Sequence, residues 1–261
     1  MTAVNIHAKP SAIVPLTKRD RKGLFISFEG IEGCGKTTQC HHLAQSLRNR
    51  GYRVIETREP GGTLLSEQIR DLFLKPTKKN RQLESLTPQC EAHLILACRS
   101  QHVAQVIIPG LLQGAILLCD RFIDSTLAYQ GYGRGLNLEK LKQLNRWATG
   151  GLLPDCTFWL DVPVSQGLKR RLSSTTHNRL DRESRAFHTR VQQGFRHLAE
   201  QAPGRIMTLD GRLPAETIAQ QVAHKVDALL SRLTPYATAS TRKRKPQPSS
   251  QHRTAQHHAI Q

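Results

Sequence analysis

The sequence predicts an α/β fold in which a five-stranded parallel sheet lies between layers of helices. Three observations support this prediction. Short apolar runs alternate with stretches of helical periodicity, a glycine-rich turn follows the first run, and four of the five runs are followed by an acidic residue. Ligands of such sheets bind at the carboxyl ends of the strands. The predicted strands are 24–28, 53–57, 115–119, 156–160 and 205–209, and the predicted helices lie near 36–50, 63–75, 88–113, 138–149, 164–172, 184–201 and 214–233.

The turn after the first strand has the spacing of a phosphate-binding loop (P-loop). Residues 30–37 fit G-x-x-x-x-G-K-[ST] between a strand and a helix, although an ordinary glycine-rich turn would have the same context. Backbone N–H groups of such a loop turn toward phosphate oxygens, and the helix N-terminus adds positive potential. We expect Lys36 to reach the outer phosphates of a nucleotide and Thr37 to bind Mg²⁺. The predicted nucleotide-binding residues are Gly30, Ile31, Glu32, Gly33, Cys34, Gly35, Lys36 and Thr37.

Charged residues follow the second and third strands. Arg58 comes directly after the second strand, and Asp120 and Arg121 come directly after the third. An aspartate in this position of a P-loop protein helps to organise Mg²⁺, and Arg121 would point at the same phosphates. The alternative is a solvated Asp–Arg pair.

A basic segment near residues 170–185 is predicted to form a short lid over ATP. The interior of the P-loop carries no cation besides Lys36, whereas phosphoryl transfer needs several positive groups. Arg179 and Arg182 are the candidates for these additional cations, because the polar stretch before them is typical of a mobile loop. A basic surface helix and loop is the alternative.

Composition predicts one large domain with two polar extensions. The chain has 261 residues and a net charge of +18. Residues 1–22 are predicted to be a flexible leader, 23–233 the domain, and 234–261 a disordered basic tail. There is no apolar run of eighteen residues, no secretion signal and no paired-cysteine motif, so we expect a cytoplasmic protein with free thiols. The positive charge suits phosphorylated substrates, or a weak contact between the tail and nucleic acid.

Several segments in order closely resemble the bacterial thymidylate kinases, which are P-loop nucleoside monophosphate kinases. The matching segments are 28–38, 58–63, 120–122, 125–131, 133–135, 154–155 and 160–162. The resemblance implies the P-loop kinase fold, conversion of dTMP to dTDP with MgATP in dTTP synthesis, and a homodimer.

The resemblance also implies a role for each matching residue. Lys36 and the loop amides would bind ATP, Thr37 would serve Mg²⁺, and Glu32 would organise the acceptor end of the site. The other implied roles are a grip on the dTMP phosphate by Arg58, a position between donor and acceptor phosphates for Arg121, contacts with the base edge from Arg99, Thr126 and Gln130, and contact with the deoxyribose by Tyr129.

Ile95 departs from the family pattern, because the family usually has a phenylalanine there that stacks on thymine. An aliphatic side chain still packs on the base but loses the aromatic interaction, about 0.5–1.5 kcal/mol. A kinase for another nucleoside monophosphate, such as dUMP, is therefore an alternative. A nucleic-acid-binding protein switched by nucleotide is a weaker one, since the core carries no recognisable DNA- or RNA-reading motif.

Overall fold

A parallel sheet of five strands, in the order β2-β3-β1-β4-β5, forms the centre of the molecule. The computed structural model describes residues 13, 15–17, 20–74, 85–172 and 178–233. The strands are β1 (Leu24–Glu29), β2 (Val54–Arg58), β3 (Ile116–Asp120), β4 (Cys156–Asp161) and β5 (Ile206–Asp210). The predicted α/β fold is confirmed. Each strand ends one residue later than predicted, so the charged residue that follows each apolar run is the last residue of the strand.

Helices connect the strands. They are α1 (Lys36–Asn49), α2 (Leu64–Leu74), α3 (Pro88–Leu112), α4 (Ile123–Thr126 and its continuation Leu127–Gly133), α5 (Leu138–Thr149), α6 (Val164–Leu172), α7 (Arg185–Gln201) and α8 (Ala215–Leu233). Two stretches have the wider π-helical hydrogen-bonding pattern, Val103–Ile107 within α3 and Leu127–Gly133 within α4. A short 3₁₀ turn, Leu180–Arg182, precedes α7.

The sequence did not predict helix α4, because glycine and β-branched residues disfavour a helix. The structure shows why the glycines are there. A Cβ atom on Gly133 would lie 2.8 Å from the ring of Phe187, and one on Gly131 would lie 2.4 Å from Leu138. Close packing of α4 against α7 and α5 therefore outweighs local propensity.

Both faces of the sheet are buried. Leu24, Ile26 and Phe28 of β1 belong to one apolar cluster, whereas Phe25 belongs to a second cluster with Ile107 of α3. Alternate residues of a strand point to opposite faces, so this division means that helices cover each side. All six cysteines are free thiols, and only Cys90 is exposed.

Helix α3 is long and apolar. Its 25 residues have a mean hydropathy of 1.2 in the best window, so it could cross a membrane by length and composition alone. Half of that window is buried inside the domain. This is the behaviour of a core helix in a globular protein.

The sheet order creates a crevice at the carboxyl ends of β1 and β3. These strands are neighbours. The connection that follows β1 leads to β2 at one edge of the sheet, while the connection that follows β3 leads to β4 toward the other edge. Ligands of open α/β sheets bind at such a switch point. The P-loop follows β1 and the Asp120–Arg121 pair ends β3, so both lie at this crevice.

Part of the predicted leader packs against the domain. Ile13 and Leu16 contact the apolar cluster around Phe25. Arg21 donates a hydrogen bond of 2.8 Å from Nη2 to Asp155 Oδ1, and this ion pair is largely buried. The packed unit therefore extends to Ile13, earlier than the predicted boundary at residue 23. Residues 1–12, 14 and 18–19, the predicted lid loop 173–177 and the predicted tail 234–261 lie outside the described residues.

We predict that Arg21→Ala destabilises the domain by about 1–3 kcal/mol, because it removes the arginine of a largely buried ion pair with Asp155. A domain of this size should then lose roughly 2–10 °C in Tm. Differential scanning fluorimetry measures the change. Arg212→Ala is the matched control, because the Arg212–Asp210 pair lies at the surface with 65% of the arginine side chain exposed. Equal, small shifts for the two variants would contradict a structural role for the Arg21 segment.

Candidate active site

The P-loop has the geometry of an anion-binding loop. Gly30, Gly33 and Gly35 have φ values of 139°, 71° and 100°, which disfavour other residues. A Cβ atom on Gly33 would lie 2.1 Å from the carbonyl oxygen of Gly167 in α6, so this glycine also allows a close approach of the two backbones. Helix α1 begins at Lys36, and its N-terminus therefore faces the loop.

Lys36 lies within the curve of the loop. Its ammonium group donates to the carbonyl oxygens of Gly30 at 3.1 Å and Ile31 at 2.8 Å, and it lies 3.5 Å from the sulfur of Cys34. The side chain is buried, with 7% of its surface exposed. These contacts hold the charge at the centre of the loop, where phosphate oxygens could replace the carbonyl groups.

Thr37 and Asp120 form the candidate Mg²⁺ site. The Thr37 hydroxyl donates to Asp120 Oδ2 at 2.5 Å. Both ligand atoms are oxygens, which Mg²⁺ prefers, and sites of this type take their remaining ligands from phosphate and water. The described residues contain no group of three or more His, Cys, Asp or Glu side chains that could hold a metal.

Arg121 connects β3 to the P-loop. Its backbone has φ of 72°, rare for a residue other than glycine. Its guanidinium donates to Gly30 O at 2.9 Å and to Glu32 Oε1 at 3.0 Å, and it lies 4.9 Å from the ring centre of Tyr129. A strained arginine held by several contacts is typical of a functional site.

Glu32 is the carboxylate at the centre of this cluster. The hydroxyl of Tyr129 donates to both of its oxygens, at 2.8 and 2.7 Å. Burial alone would raise the pKa of Glu32, but the charge of Arg121 and further contacts from His188, Lys36 and Tyr129 outweigh it and lower the pKa below its usual range. Glu32 is therefore ionised at physiological pH and holds Arg121 and Tyr129 in place.

Two further arginines border the cavity near Asp120. Arg58 is more than half exposed and donates to Glu67 Oε2 at 3.0 Å. Arg70 donates to the carbonyl oxygen of Pro60 at 2.6 Å. Burial, and after it the charge of Arg58, lower the pKa of Arg70. This end of the site suits a phosphate dianion.

Arg99 lies at the opposite end and is almost completely buried. It donates to Glu59 Oε2 at 2.7 Å, to Thr126 Oγ1 at 2.8 Å and to Phe122 O at 3.0 Å, and it also contacts Asn145. These contacts use four of its five N–H groups, so one donor is left for a ligand.

Gln130 and Ile95 complete this end. Gln130 donates to Glu91 Oε1 at 2.6 Å, whereas its own carbonyl oxygen is buried and has no hydrogen-bond partner within the part of the chain that the structure describes. Ile95 is 8% exposed and belongs to the main apolar cluster together with Phe73 of α2. The two apolar side chains and the unpaired amide oxygen fit a flat base with polar edges.

The two predicted lid arginines have different surroundings. Arg179 points to the acceptor side of the cavity: it donates to Glu91 Oε2 at 2.8 Å and to Phe73 O at 3.1 Å, and its guanidinium lies 5.0 Å from the Phe73 ring centre. Arg182 is exposed on the 3₁₀ turn. Their contact with ATP stays a prediction.

A cavity of about 230 Å³ brings most of the predicted residues together. The predicted residues that line it are Glu32, Gly33, Lys36, Thr37, Arg58, Ile95, Arg99, Asp120, Arg121, Thr126, Tyr129 and Gln130. Those outside its lining are Gly30, Ile31, Cys34 and Gly35, which form the loop itself, and Arg179 and Arg182.

The sequence analysis assigned no individual role to several residues of the cavity or its support, although Arg171 belongs to the predicted lid segment 170–185. Arg70, Phe73 and Arg171 line the cavity, and Glu59 holds Arg99. Arg70 and Phe73 share the amphipathic helix α2 with no motif around them, so only tertiary contacts reveal them. Arg171 was one member of a basic run at the end of α6, and the run alone could not show which of its side chains faces inward.

Comparisons with known proteins agree with this geometry. The sequence model of the thymidylate kinase family matches residues 28–222. A thymidylate kinase of Gloeobacter violaceus is 49% identical over 210 residues, which are 80% of this chain and 96% of that protein. A thymidylate kinase of Geobacter sulfurreducens is 48% identical over 217 residues, 81% of this chain and 98% of that protein. A crystal structure of thymidylate kinase from Ehrlichia chaffeensis superposes with a TM-score of 0.62 at 35% identity and covers 78% of this chain and 98% of that one.

Proposed function

The chain belongs to the thymidylate kinase family and phosphorylates dTMP to dTDP with ATP, and we propose that Arg121 stands between the donor and acceptor phosphates during direct in-line transfer. One observation carries this assignment of roles. Arg121 contacts the P-loop at Gly30 and lines the same cavity as Arg58 and Arg99. The guanidinium of Arg121 therefore lies between the P-loop, where ATP would bind, and the part of the cavity where dTMP would bind. The other nucleoside monophosphates and the nucleotide-switched nucleic-acid-binding protein are not favoured, because the matched relatives are thymidylate kinases.

The transfer needs no general base. The second pKa of a phosphate monoester is about 6, so the attacking oxygen of dTMP is already deprotonated at neutral pH. Catalysis then rests on alignment and on neutralising charge that moves between the nucleotides. Glu32, ionised and paired, supports this by fixing Arg121 and the hydroxyl of Tyr129.

We propose that the two ends of the cavity orient dTMP. Arg58 binds the phosphate, as the resemblance implies, and the structure adds Arg70 beside it. Arg99 offers its remaining N–H group and Gln130 its unpaired amide oxygen to the base edge beside Thr126. Tyr129 lines the same cavity beside Arg121 and would contact the deoxyribose, as the resemblance implies.

We propose that Thr37 and Asp120 hold Mg²⁺ together with phosphate oxygens of ATP. When bound, the ion neutralises phosphate charge and helps to fix the donor geometry. Lys36 supplies the protein's own cation at the same phosphates. Removal of divalent ions with EDTA should abolish dTMP phosphorylation, and excess Mg²⁺ should restore it. Full turnover with no divalent ion present would contradict a role for the Thr37–Asp120 pair.

The remaining proposals rest on the family resemblance, on composition and on exposed apolar side chains. Arg179 and Arg182 would reach ATP from the lid, and the protein would act in the cytoplasm, with nucleic acid contacted at most weakly through the basic tail. A homodimer is supported by exposed leucines on α2, namely Leu64, Leu65 and Leu72. Analytical ultracentrifugation would test the dimer, and a monomer at assay concentrations would reject it.

We predict that Lys36→Ala lowers kcat for dTMP phosphorylation by roughly 10²–10³-fold, because it removes the main protein cation at the transferred group. A coupled assay of ADP formation with saturating MgATP and dTMP measures this. Lys140→Ala, a change at an exposed position of α5 outside the cavity lining, is the control and should keep wild-type turnover. Near-normal kcat in Lys36→Ala would reject the assignment of the P-loop as the donor site.

We also predict that Ile95→Phe raises the KM for dTMP by about fivefold or more. Phe73 already occupies the same apolar wall, and overfilling a packed site costs about 1–3 kcal/mol. The KM for ATP should not change, because the donor binds across the phosphates. Phe73→Leu combined with Ile95→Phe should bring the KM back toward wild type. A lower KM in Ile95→Phe alone would show that the wall has room for a second ring.

A further inference from the structure

His188 is a buried side chain that no step above uses. It lies in the first turns of α7 and has no exposed surface. Neither ring nitrogen has a hydrogen-bond partner within the described part of the chain. A buried polar group without a partner costs about 1–3 kcal/mol, so such groups are rare and call for an explanation.

The nearest acceptor for this ring is the P-loop carboxylate. Nδ1 of His188 lies 3.5 Å from Oε2 of Glu32. This distance is longer than the roughly 2.9–3.0 Å that is usual for an N–H···O hydrogen bond. Hydrogen bonds of active sites are often long without substrate and become shorter in the complex.

The hydrogen bonds that Glu32 already accepts leave room for one more donor on the side that faces His188. Oε1 accepts from Arg121 and Tyr129, whereas Oε2 accepts only from Tyr129 among the hydrogen bonds within the described residues. A carboxylate oxygen can accept two hydrogen bonds, so Oε2 has a place for His188. The ring of Phe187, 5.4 Å away and nearly perpendicular, packs against the imidazole and limits its rotation.

We propose that His188 is a positioning residue that donates its Nδ1–H to Glu32 and so fixes the carboxylate that aims Arg121 at the phosphates. It touches neither nucleotide. It acts through Glu32, which holds the guanidinium of Arg121 at 3.0 Å. This inference rests on the proposed role of Arg121 in the transfer of phosphate to dTMP.

Two substitutions separate positioning from packing. His188→Asn places an amide N–H close to the position of Nδ1 but removes part of the ring volume. His188→Phe keeps the volume and removes both nitrogens. If His188 positions Glu32, His188→Asn should keep kcat within a few-fold, whereas His188→Phe should lose roughly ten- to a hundredfold, the loss expected for one hydrogen bond to a charged group. The KM for ATP should change little in either variant.

A packing role predicts the reverse order. His188→Asn would leave a cavity and lose both activity and thermal stability, whereas His188→Phe would remain close to wild type. That result would overturn the proposal. His188→Gln, whose amide reaches toward the position of Nε2, is the matched control and should behave like His188→Phe. In the Glu32→Gln variant, the additional substitution His188→Phe should not lower kcat further. A loss as large as the one that His188→Phe causes in the wild-type protein would also overturn the proposal.

A measurement without turnover keeps this test separate from the test of the proposed function. The ¹⁵N chemical shifts of His188 report which ring nitrogen carries the proton. A proton on Nδ1 that responds to Glu32→Gln is expected, and a neutral ring protonated at Nε2 alone would reject the proposal. Absence of dTMP kinase activity in the wild-type protein would instead reject the proposed function and leave the ¹⁵N result to decide the role of His188.

Discussion

The ion pair between Arg121 and Glu32 is the constraint on which the rest of the site depends. It joins the residue after β3 to the loop after β1 across 3.0 Å. Arg121 takes this position with a left-handed backbone, a strain of about 1–3 kcal/mol for a residue other than glycine. Two hydrogen bonds offset that strain: the backbone N–H of Arg121 donates to Phe28 O, and its guanidinium donates to Gly30 O. These contacts join the P-loop to the end of β3 at the point where in-line transfer needs aligned groups.

The charges of the cavity are distributed unequally between its ends. At the base end, Glu59 accepts from both Arg99 and His102, so the buried arginine there is neutralised before any ligand binds. At the phosphate end, Arg58 contacts a partly exposed carboxylate and Arg70 contacts a backbone carbonyl group. A nucleoside monophosphate that places its phosphate at the Arg58 end meets two arginines, of which Arg58 is paired with a partly exposed carboxylate, whereas the reversed orientation meets a buried, already neutralised arginine. This difference in charge favours one orientation.

Local sequence predicted the strands and the P-loop because each is determined by neighbouring residues. The strands were predicted to end one residue too early because the apolar pattern stops before Arg58 or Asp120, while the backbone ladder continues. Helix α4 and the packed segment around Ile13 were not predicted, since each forms only where a distant partner, Phe187 or Phe25, is already in place. Residues that act through a partner far along the chain have no sequence signal. Glu32 and His188, which are 156 residues apart in the sequence, illustrate this limit.

Helix α6 and the 3₁₀ turn contact different sides of the cavity. At one side, the carbonyl oxygen of Gly167 approaches Gly33 so closely that only glycine fits, which fixes α6 against the P-loop. At the other side, Arg179 bonds to the backbone at the end of α2 and to Glu91, which in turn accepts from Gln130 at the base end. Neither contact can shift without moving residues that line the cavity. Helix α6 is therefore fixed against the P-loop, and Arg179 joins the start of the 3₁₀ turn to α2 and to Glu91 through backbone groups and a buried carboxylate.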